Sequence, residues 1–202
     1  MTASQVIFCD VGGVVLTNGW DTAARKQVVA EFQLDFEEFE ERHQFVVHRF
    51  ETGRLDLGGY LAQTVGSRDP DFPVSEFGEA MLSVSRPLDG GLELATELAT
   101  LDMPVVTLNN ESRALHNHRV VHFGLDDLFD AFFTSGYLGV KKPDDAIYRM
   151  ALDVMAADPG RSVFIDDRRI NLEAAAAHGM RTIHHTSPEE TRAALASLGL
   201  AI

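Results

Sequence analysis

Residues that could do chemistry stand directly after apolar runs at four places in this sequence. In chain order they are Asp10, then Asn109 with Asn110, then Lys141 with Lys142, and finally Asp166 with Asp167. Paired carboxylates attract a hard cation such as Mg²⁺, which prefers oxygen ligands. A lysine neutralises a carboxylate nucleophile and the non-bridging oxygens of a phosphoryl group. Brought together, these side chains would have the composition of a metal-assisted phosphoryl-transfer site.

Each of these signals by itself also has a structural explanation. An aspartate after a strand is commonly a turn or cap residue, and a Lys-Lys-Pro run is commonly solvated chain before a helix. An Asp-Asp pair is common in the first turn of a helix. Four such groups in order, each following an apolar strand, are much harder to explain in that way.

The alternation of apolar runs and amphipathic segments predicts the elements that must bring these groups together. Strands are predicted at residues 5–11, 104–108, 131–134, 162–165 and 181–184, with helices between them from residue 91 onward. Such alternation predicts an α/β fold, a Rossmann-like parallel sheet with helices on both faces. Ligands in that architecture bind beyond the carboxyl ends of the strands, where the strand order reverses.

A helical segment is predicted between the first strand and the rest of this sheet, from about residue 20 to 85. Apolar residues and one histidine recur there at helical spacing, namely Phe36, Phe39, His43, Val46, Val47 and Phe50. Gly53 is expected to end this helix, and Asp56 is expected to cap the next one. We therefore predict a core made of residues 1–16 and 86–202, with residues 17–85 forming a small helical cap.

Composition and charge narrow the class of protein. Seventeen basic and thirty-one acidic residues give a net charge of −14, which argues against binding nucleic acid or an anionic membrane through a basic surface. A few local cations or a metal can still attract an anionic substrate. No apolar run is long enough to span a bilayer. The single cysteine, Cys9, lies in an apolar run and fits a buried thiol in a reducing, cytoplasmic protein.

The order and spacing of the four groups resemble the four motifs of the haloacid dehalogenase superfamily. The segments that carry the resemblance are FCDVGGVV, VVTLNNES, GVKKPDDAIY and FIDDRRINLEAAAAHGM. The helical segment stands where this superfamily places its cap. Its sequence FETGRL, residues 50–55, is similar to caps of small sugar-phosphate phosphatases and to the epoxide hydrolase N-terminal domain.

The resemblance implies a Mg²⁺-dependent phosphatase that forms an aspartyl-phosphate on a small phosphorylated substrate. It implies that Asp10 is the nucleophile and that Lys142, rather than Lys141, is the motif lysine. It also implies that Mg²⁺ is held by Asp10, the Gly12 carbonyl and Asp167. Asp166 would be a water-mediated ligand or a supporting carboxylate. Asn171 occupies a supporting position.

Further residues of the motifs are expected to bind the phosphoryl group. Asn109 stands where the family has a hydroxyl donor, and we expect its amide to donate to a phosphoryl oxygen. Asn110 is the asparagine that usually follows. Gly12 and Gly13 leave the backbone free to approach a ligand closely.

Gly12 departs from the family pattern. Phosphatases of this family normally carry a second aspartate two residues after the nucleophile, which serves as general acid and then as base. A glycine has no side chain to protonate the leaving group, and such help is worth about 10²–10⁴-fold. Substrates with good leaving groups are therefore expected to be favoured.

The cap is expected to choose the substrate, because the sheet binds only the phosphate. Candidate contacts are Trp20, Arg49, His43 and His48, although each also has a structural explanation in the cap core or in solvent. His184 and His185 are expected to pack at the sheet edge rather than bind a metal.

The oligomeric state, monomer or homodimer, remains open at this point, and so do two other functions. One is metal-independent carbon–halogen hydrolysis, whose members also lack the second aspartate; retention of Asp166 and Asp167 argues against it. The other is a non-catalytic or regulatory phospho-ligand-binding protein that kept the pocket.

Overall fold

A five-stranded parallel sheet lies at the centre of the structure, a computed structural model that describes residues 5–66, 70–200 and 202. The strands are β1 (Ile7–Cys9), β2 (Val105–Asn109), β3 (Ala131–Thr134), β4 (Val163–Asp166) and β5 (Arg181–His184). Their order in the sheet is β3-β2-β1-β4-β5, and every neighbouring pair is parallel.

The order of the strands reverses at β1. The chain builds β2 and β3 on one side of β1 and then returns to place β4 on the other side. Ile7 accordingly pairs with Val105 on one side and with Val163 on the other. A crevice therefore opens beyond the carboxyl ends of β1 and its neighbours, which is where ligands bind in such sheets.

Helices cover both faces of the sheet, as the sequence predicted. In chain order they are α5 (Gly91–Leu98), α6 (Arg113–Phe123), α7 (Ser135–Leu138), α8 (Asp145–Val154), α9 (Arg169–Ala177) and α10 (Pro188–Ser197). Ile7 and Cys9 of β1 belong to one apolar core and Phe8 to the other, because successive side chains of a strand alternate between faces. All three are fully buried, and burial raises the pKa of the Cys9 thiol, as expected for a structural cysteine.

The segment between β1 and α5 forms four helices with an apolar cluster of their own. They are α1 (Thr22–Glu31), α2 (Phe36–Glu51), α3 (Leu57–Thr64) and α4 (Val74–Ser83), and Phe39, Tyr60 and Phe77 lie in their common core. We call these four helices the helical insert. Gly53 follows α2 in a left-handed conformation, and the Asp56 carboxylate accepts from the Gly59 N–H at the start of α3, as predicted.

The division into a core of residues 1–16 and 86–202 and a cap of residues 17–85 stays a prediction. Residues 1–4, 67–69 and 201 lie outside the residues that the structure describes. The two chain segments that connect the insert to the sheet run side by side. Leu16 and Pro87 form an antiparallel bridge, and the Thr17 N–H donates to the Arg86 carbonyl at 2.8 Å. Across the described part of the chain, no helix has both the length and the apolar character needed to cross a membrane.

Two local features differ from the sequence-based expectation. β1 spans only Ile7–Cys9, because the backbone turns immediately after Asp10 and the N–H groups of Val15 and Leu16 both donate to the Val11 carbonyl. The short helix α7 stands between β3 and Lys141, where we expected the lysines to follow the strand directly.

Candidate active site

Asp10 and Lys142 form a buried ion pair at the carboxyl end of the central strand. The Asp10 side chain follows β1, and its Oδ2 atom lies 2.8 Å from the Nζ atom of Lys142. Burial raises the pKa of the Asp10 carboxyl; the Lys142 ammonium opposes this shift, and the Asp166 carboxylate adds to it. Burial alone would lower the pKa of Lys142, but Asp10 and Asp166 together hold it above its ordinary value. Lys142 is therefore a cation, and a second cation would favour the ionised form of Asp10.

Asn110 fixes the backbone of Lys142. Its amide nitrogen donates to the Lys142 carbonyl at 2.7 Å, and its amide oxygen accepts from the Lys142 N–H at 2.8 Å. Both polar atoms of Asn110, predicted to bind substrate, are thus used on the main chain. This pairing connects the loop after β2 to the segment that carries the lysine.

Asp166 holds Lys142 from the other side and has little capacity left for a metal. Its Oδ2 atom accepts from Lys142 Nζ at 2.7 Å and from the Asn171 amide at 3.1 Å. Its Oδ1 atom accepts from the Arg168 N–H at 2.8 Å and from Asn171 at 3.0 Å. A carboxylate offers about four lone-pair sites, and all are in use. Of its two predicted roles, this geometry therefore favours the supporting carboxylate.

Asp167 is arranged differently from Asp166. Its Oδ1 atom is buried without a hydrogen-bond partner among the described residues, while Oδ2 lies 3.5 Å from the Asn18 amide nitrogen. Its backbone carbonyl accepts from Nε2 of His184 at 3.0 Å, so this histidine supports the loop rather than a metal. A buried carboxylate oxygen without a donor is costly. Such an atom is satisfied by a cation.

The three acidic side chains lie close enough together to mark a site for a hard divalent cation, with Asp10 and Asp167 as the two that have capacity to bind it. One ligand atom each from Asp10, Asp166 and Asp167 can be chosen so that all lie within 4.8 Å of one another. Oxygen donors of this kind suit Mg²⁺. The unpartnered Oδ1 atom of Asp167 and the raised pKa of Asp10 both fit a group that brings positive charge.

Asn109 faces the loop after β1 with its amide oxygen, not with its amide nitrogen. The Oδ1 atom accepts from the Val11 N–H at 3.0 Å. The Nδ2 atom lies 3.4 Å from the Oε1 atom of Glu111, a long contact. The predicted donation from Asn109 to a phosphoryl oxygen therefore depends on that weakly held nitrogen, and Asn109 lines the cavity described next.

A cavity of about 490 Å³ lies between the sheet and the helical insert. The predicted site residues that line it are Asp10, Gly12, Trp20, Asn109, Asn110 and Lys142. Gly13 does not line it, and neither does Arg49. The residues of α2 that do so are His43, Gln44, Val47, Phe50 and Glu51, which share one helix face; Arg49 is exposed on another.

Trp20 belongs mainly to the core of the insert, although it reaches the cavity. Its indole N–H donates to the Tyr60 hydroxyl at 2.7 Å, and its ring packs edge-on against Phe39 and Phe77. The polar atom of Trp20 is therefore unavailable to a substrate, and only the edge of the ring can touch one. His48 is exposed and does not line the cavity.

A buried ion pair between Glu111 and Arg119 lines the same cavity, and sequence reasoning missed it. Their closest atoms are 3.1 Å apart, and the other guanidinium nitrogens donate to the Thr17 carbonyl at 2.6 Å and to the Ser85 hydroxyl at 3.0 Å. Arg119 thus connects both segments that lead into the insert with the loop after β2. Burial opposes the ionisation of Glu111, but Arg119 and His116 lower its pKa. The only signal in the sequence was the charged residue Arg119 among the positions that form the buried face of α6.

Comparison with known proteins gives a match over most of the chain. A family model described as a haloacid dehalogenase-like hydrolase matches residues 5–179. The sesquiterpene phosphatase astK of Aspergillus oryzae is 27% identical over 183 residues, which cover 91% of this chain and 80% of that protein. The flavin mononucleotide hydrolase 1 of Arabidopsis thaliana is 28% identical over 159 residues, covering 79% of this chain and 64% of that protein.

Other similarities are shorter or concern the fold alone. With several further curated relatives the match spans only 10% to 16% of the relative's length. Among solved structures, the HAD family enzyme bt-2542 from Bacteroides thetaiotaomicron, in complex with magnesium and inorganic phosphate, superposes with a TM-score of 0.76. The two are 19% identical, and the alignment covers 90% of this chain and 93% of that one. At this identity the similarity establishes the fold.

Proposed function

The chain belongs to the haloacid dehalogenase-like hydrolase family, and from this we propose that it is a Mg²⁺-dependent phosphatase acting on a small phosphorylated molecule. The observation that carries the proposal is the contrast between the two neighbouring carboxylates. Asp166 is saturated and holds Lys142 on Asp10, whereas Asp167 has a buried oxygen without a donor. A metal-independent hydrolase has no use for such an oxygen.

Asp10 and Asp167 would hold the cation, with the Gly12 carbonyl as a further ligand. The Gly12 backbone lines the cavity next to Asp10, so its position suits this role. Bound Mg²⁺ would supply positive charge that offsets the charge of the phosphoryl group. Asp166 would act through Lys142 and Asn171 and not by direct ligation.

In the proposed first step, an Oδ atom of Asp10 attacks phosphorus and the bond from phosphorus to the leaving oxygen breaks. The product is an aspartyl-phosphate, and the leaving oxygen takes its proton from solvent. Lys142 Nζ, already 2.8 Å from Asp10, lies where it offsets negative charge on both the nucleophile and the phosphoryl oxygens. Water then attacks phosphorus, which releases phosphate and returns the carboxylate.

The leaving group receives no help from residue 12, because glycine has no side chain. We therefore propose that aryl, acyl and anomeric sugar phosphates are better substrates than primary alkyl phosphates. The logarithm of kcat should then fall steeply as the pKa of the leaving group rises. A flat dependence over a matched series would point to an acid elsewhere in the cavity.

The helical insert is proposed to be the cap that selects the organic part of the substrate, with residues 17–85 as its extent. Its separate apolar cluster and its contribution to the cavity wall support this division. The phosphatase among the relatives supports the reaction class, and the fold's ability to hold magnesium and phosphate in bt-2542 supports the cofactor.

The test measures phosphate release from aryl, acyl and alkyl phosphates, with Mg²⁺ and with chelator. Asp10→Asn and Asp167→Asn should each abolish release while keeping the folded circular dichroism spectrum. Asp153→Asn, an exposed aspartate of α8 outside the cavity, is the matched control and should be unaffected.

Three results would overturn the proposal, each in a different direction. Phosphate release that persists in chelator or in Asp10→Asn contradicts the mechanism. Metal-independent chloride release from 2-chloropropionate indicates a dehalogenase. Binding of aryl phosphates by calorimetry without turnover indicates a phospho-ligand-binding protein.

A further inference from the structure

His43 of the helical insert has its tautomer fixed by two neighbours. An indole is a donor only, so the Trp20 N–H must donate to the Tyr60 oxygen, 2.7 Å away. In the described part of the chain, Nδ1 of His43, at 2.8 Å, is the acceptor within reach of the Tyr60 hydroxyl hydrogen, so we assign this hydrogen bond as Tyr60 O–H to Nδ1. Since Nδ1 accepts, a neutral His43 ring carries its proton on Nε2.

The His43 ring is neutral at physiological pH. Burial lowers the pKa of His43 to about 4; Arg25 adds to this effect, and Glu40 opposes it. His43 is 3% exposed and stacks nearly parallel to the Phe39 ring. Its Nε2–H is thus a neutral donor held in one orientation.

The Nε2 atom has no hydrogen-bond partner within the described part of the chain. Two polar side-chain atoms of the described residues are fully buried without a hydrogen-bond partner, namely Thr107 Oγ1 and Asp167 Oδ1. Nε2 of His43 is not one of them, so this atom is not fully buried. His43 lines the cavity between insert and sheet. The free donor is therefore accessible from that cavity.

Two charged side chains of the insert that reach the cavity, Arg25 and Glu51, are ion-paired, and a third, the Asp21 carboxylate, accepts from the Ala24 N–H at the start of α1. The Arg25 guanidinium makes two contacts to Glu40, at 2.7 and 2.8 Å, and donates to the Trp20 carbonyl and the Thr22 hydroxyl. Glu51 is paired with Lys141 at 2.6 Å. On the insert side, the cavity is thus lined by His43, by apolar surface and by the polar side chains of Asp21, Thr22 and Gln44. Arg25, the cation of the insert that lines it among the described residues, is paired with Glu40.

We propose that the Nε2–H of His43 binds a neutral oxygen on the organic part of the substrate, so that the enzyme selects phosphate monoesters carrying a hydroxyl, ether or carbonyl oxygen. This inference rests on the proposed phosphatase function. An isosteric substrate that lacks the oxygen leaves a buried donor unpaired, and sites of this kind reject such analogues. A second phosphate or a carboxylate at this place would find no cation of the insert to pair with.

Aryl phosphates that differ by one oxygen provide the test. Methoxyphenyl phosphates with the substituent at each ring position are compared with the corresponding ethylphenyl phosphates, which have the same shape and similar leaving groups. We expect wild type to prefer one methoxy isomer by about tenfold or more in kcat/KM, mainly through KM. His43→Phe should remove that preference, so that the methoxy and ethyl members of each pair give the same kcat/KM. His43→Gln, which keeps a donor, should retain part of it.

Two further measurements separate recognition from a structural role. The inhibition constant for inorganic phosphate should be the same in wild type, His43→Phe and His43→Gln, because phosphate binds at the sheet. Nitrogen-15 NMR of the His43 ring should show protonated Nε2 and unprotonated Nδ1. Tyr60→Phe removes the hydroxyl that fixes this tautomer and should reduce the methoxy preference.

Calorimetry of the same substrate pairs binding to Asp10→Asn tests this inference separately from the proposed function, because binding is measured without turnover. A methoxy preference there supports the role of His43 even if no turnover exists. Equal treatment of methoxy and ethyl compounds by wild type would overturn it. So would a His43→Phe enzyme that keeps the preference or loses activity equally on both series.

Discussion

A β-carbon at Gly13 would lie 2.4 Å from the Oδ2 atom of Asp167. Gly13 also has a φ of +82°, a conformation that side-chain-bearing residues rarely adopt. Both constraints arise because the loop after β1 packs against the loop after β4. Gly13 thus leaves room for Asp167, and it does not line the cavity.

Gly13→Ala should therefore displace Asp167 and raise the Mg²⁺ concentration needed for half-maximal activity. The left-handed backbone adds a destabilisation of about 1–2 kcal/mol. Gly199→Ala is the matched control, because Gly199 has a φ of +80° and no atom within 4 Å of the added carbon. Mg²⁺ titrations of both variants, with urea unfolding, separate the two effects. Equal Mg²⁺ requirements would show that the contact with Asp167 is unimportant.

Lys142→Met should reduce kcat by at least about 10²-fold, the loss typical when one donor to a developing negative charge is removed. It should also destabilise the fold by about 3–5 kcal/mol, because Asp10 and Asp166 lose their buried partner. Lys141→Met removes only a partly exposed pair with Glu51, worth about 0.2–1 kcal/mol. Steady-state kinetics and urea unfolding of the two variants provide the comparison. The reverse ranking would mean that the lysines were assigned in the wrong order.

Gly12→Asp should raise activity on alkyl phosphates and change aryl phosphates little. Gly12 lies outside the left-handed region, so a side chain is compatible with the backbone. The new β-carbon would stand 3.2 Å from the Asn18 Oδ1 atom, which must shift by a few tenths of an ångström. The gain is bounded by the general acid–base factor of about 10²–10⁴. Gly12→Asn, equal in size but without an acid, is the control; equal slowing of both substrates in both variants would show a purely steric role.

Arg119→Met should destabilise the fold by about 3–5 kcal/mol, because it leaves the Glu111 carboxylate buried and unpaired. The double variant with Glu111→Gln should recover part of this loss, since the amide carries no charge. Urea unfolding of the two single variants and the double variant gives the coupling energy. A coupling energy near zero would mean that the other partners of Arg119, Thr17 and Ser85, dominate.

The free energy of unfolding should decrease as the pH falls from about 6.5 towards 4, because of the titration of His43. In that range the unfolded chain binds a proton at His43 and the folded chain does not, because burial and Arg25 lower its pKa to about 4. The slope is at most about 1.4 kcal/mol per pH unit. Glu40, whose pKa is lowered by its bond to Arg25, and Tyr60 are the other ionisable groups that face the ring.

The measurement is the free energy of unfolding in urea between pH 5 and 7, for wild type and His43→Gln. This range avoids the titration of Glu40, which occurs lower. As the pH falls, the free energy of unfolding of wild type should decrease relative to that of His43→Gln. The difference between the two should therefore shrink or change in favour of the variant. A constant difference would mean that the pKa of His43 is the same in the folded and the unfolded chain.

Local patterns were sufficient for the elements and for the order of the motifs. The capping aspartate Asp56, the glycine Gly53 after α2 and the apolar strands are properties of short stretches. Each appears in the structure, although β1 is shorter than predicted. The α/β fold follows from alternation of strand and helix, because parallel strands need helical connections. Parallel strands place their carboxyl ends at one edge of the sheet, and the strand order of the structure sets β2 and β4 on either side of β1, which makes Asp10, Asn109 and Asp166 neighbours.

The sequence by itself therefore determined the family, the sheet and the set of polar residues at its carboxyl edge. Only the tertiary structure decided how those residues divide the available hydrogen bonds. Asn110 is used on the backbone of Lys142, Asp166 is saturated, and Asp167 alone keeps a free oxygen.

The free donor of His43 and the position of Arg119 were likewise decided only by the fold. The tautomer of His43 depends on Tyr60, 17 residues away, and the guanidinium of Arg119 contacts Thr17, 102 residues away. The direction of a hydrogen bond depends on which partners arrive within about 3 Å. Such partners are brought together by packing, and the local sequence contains no record of that distance.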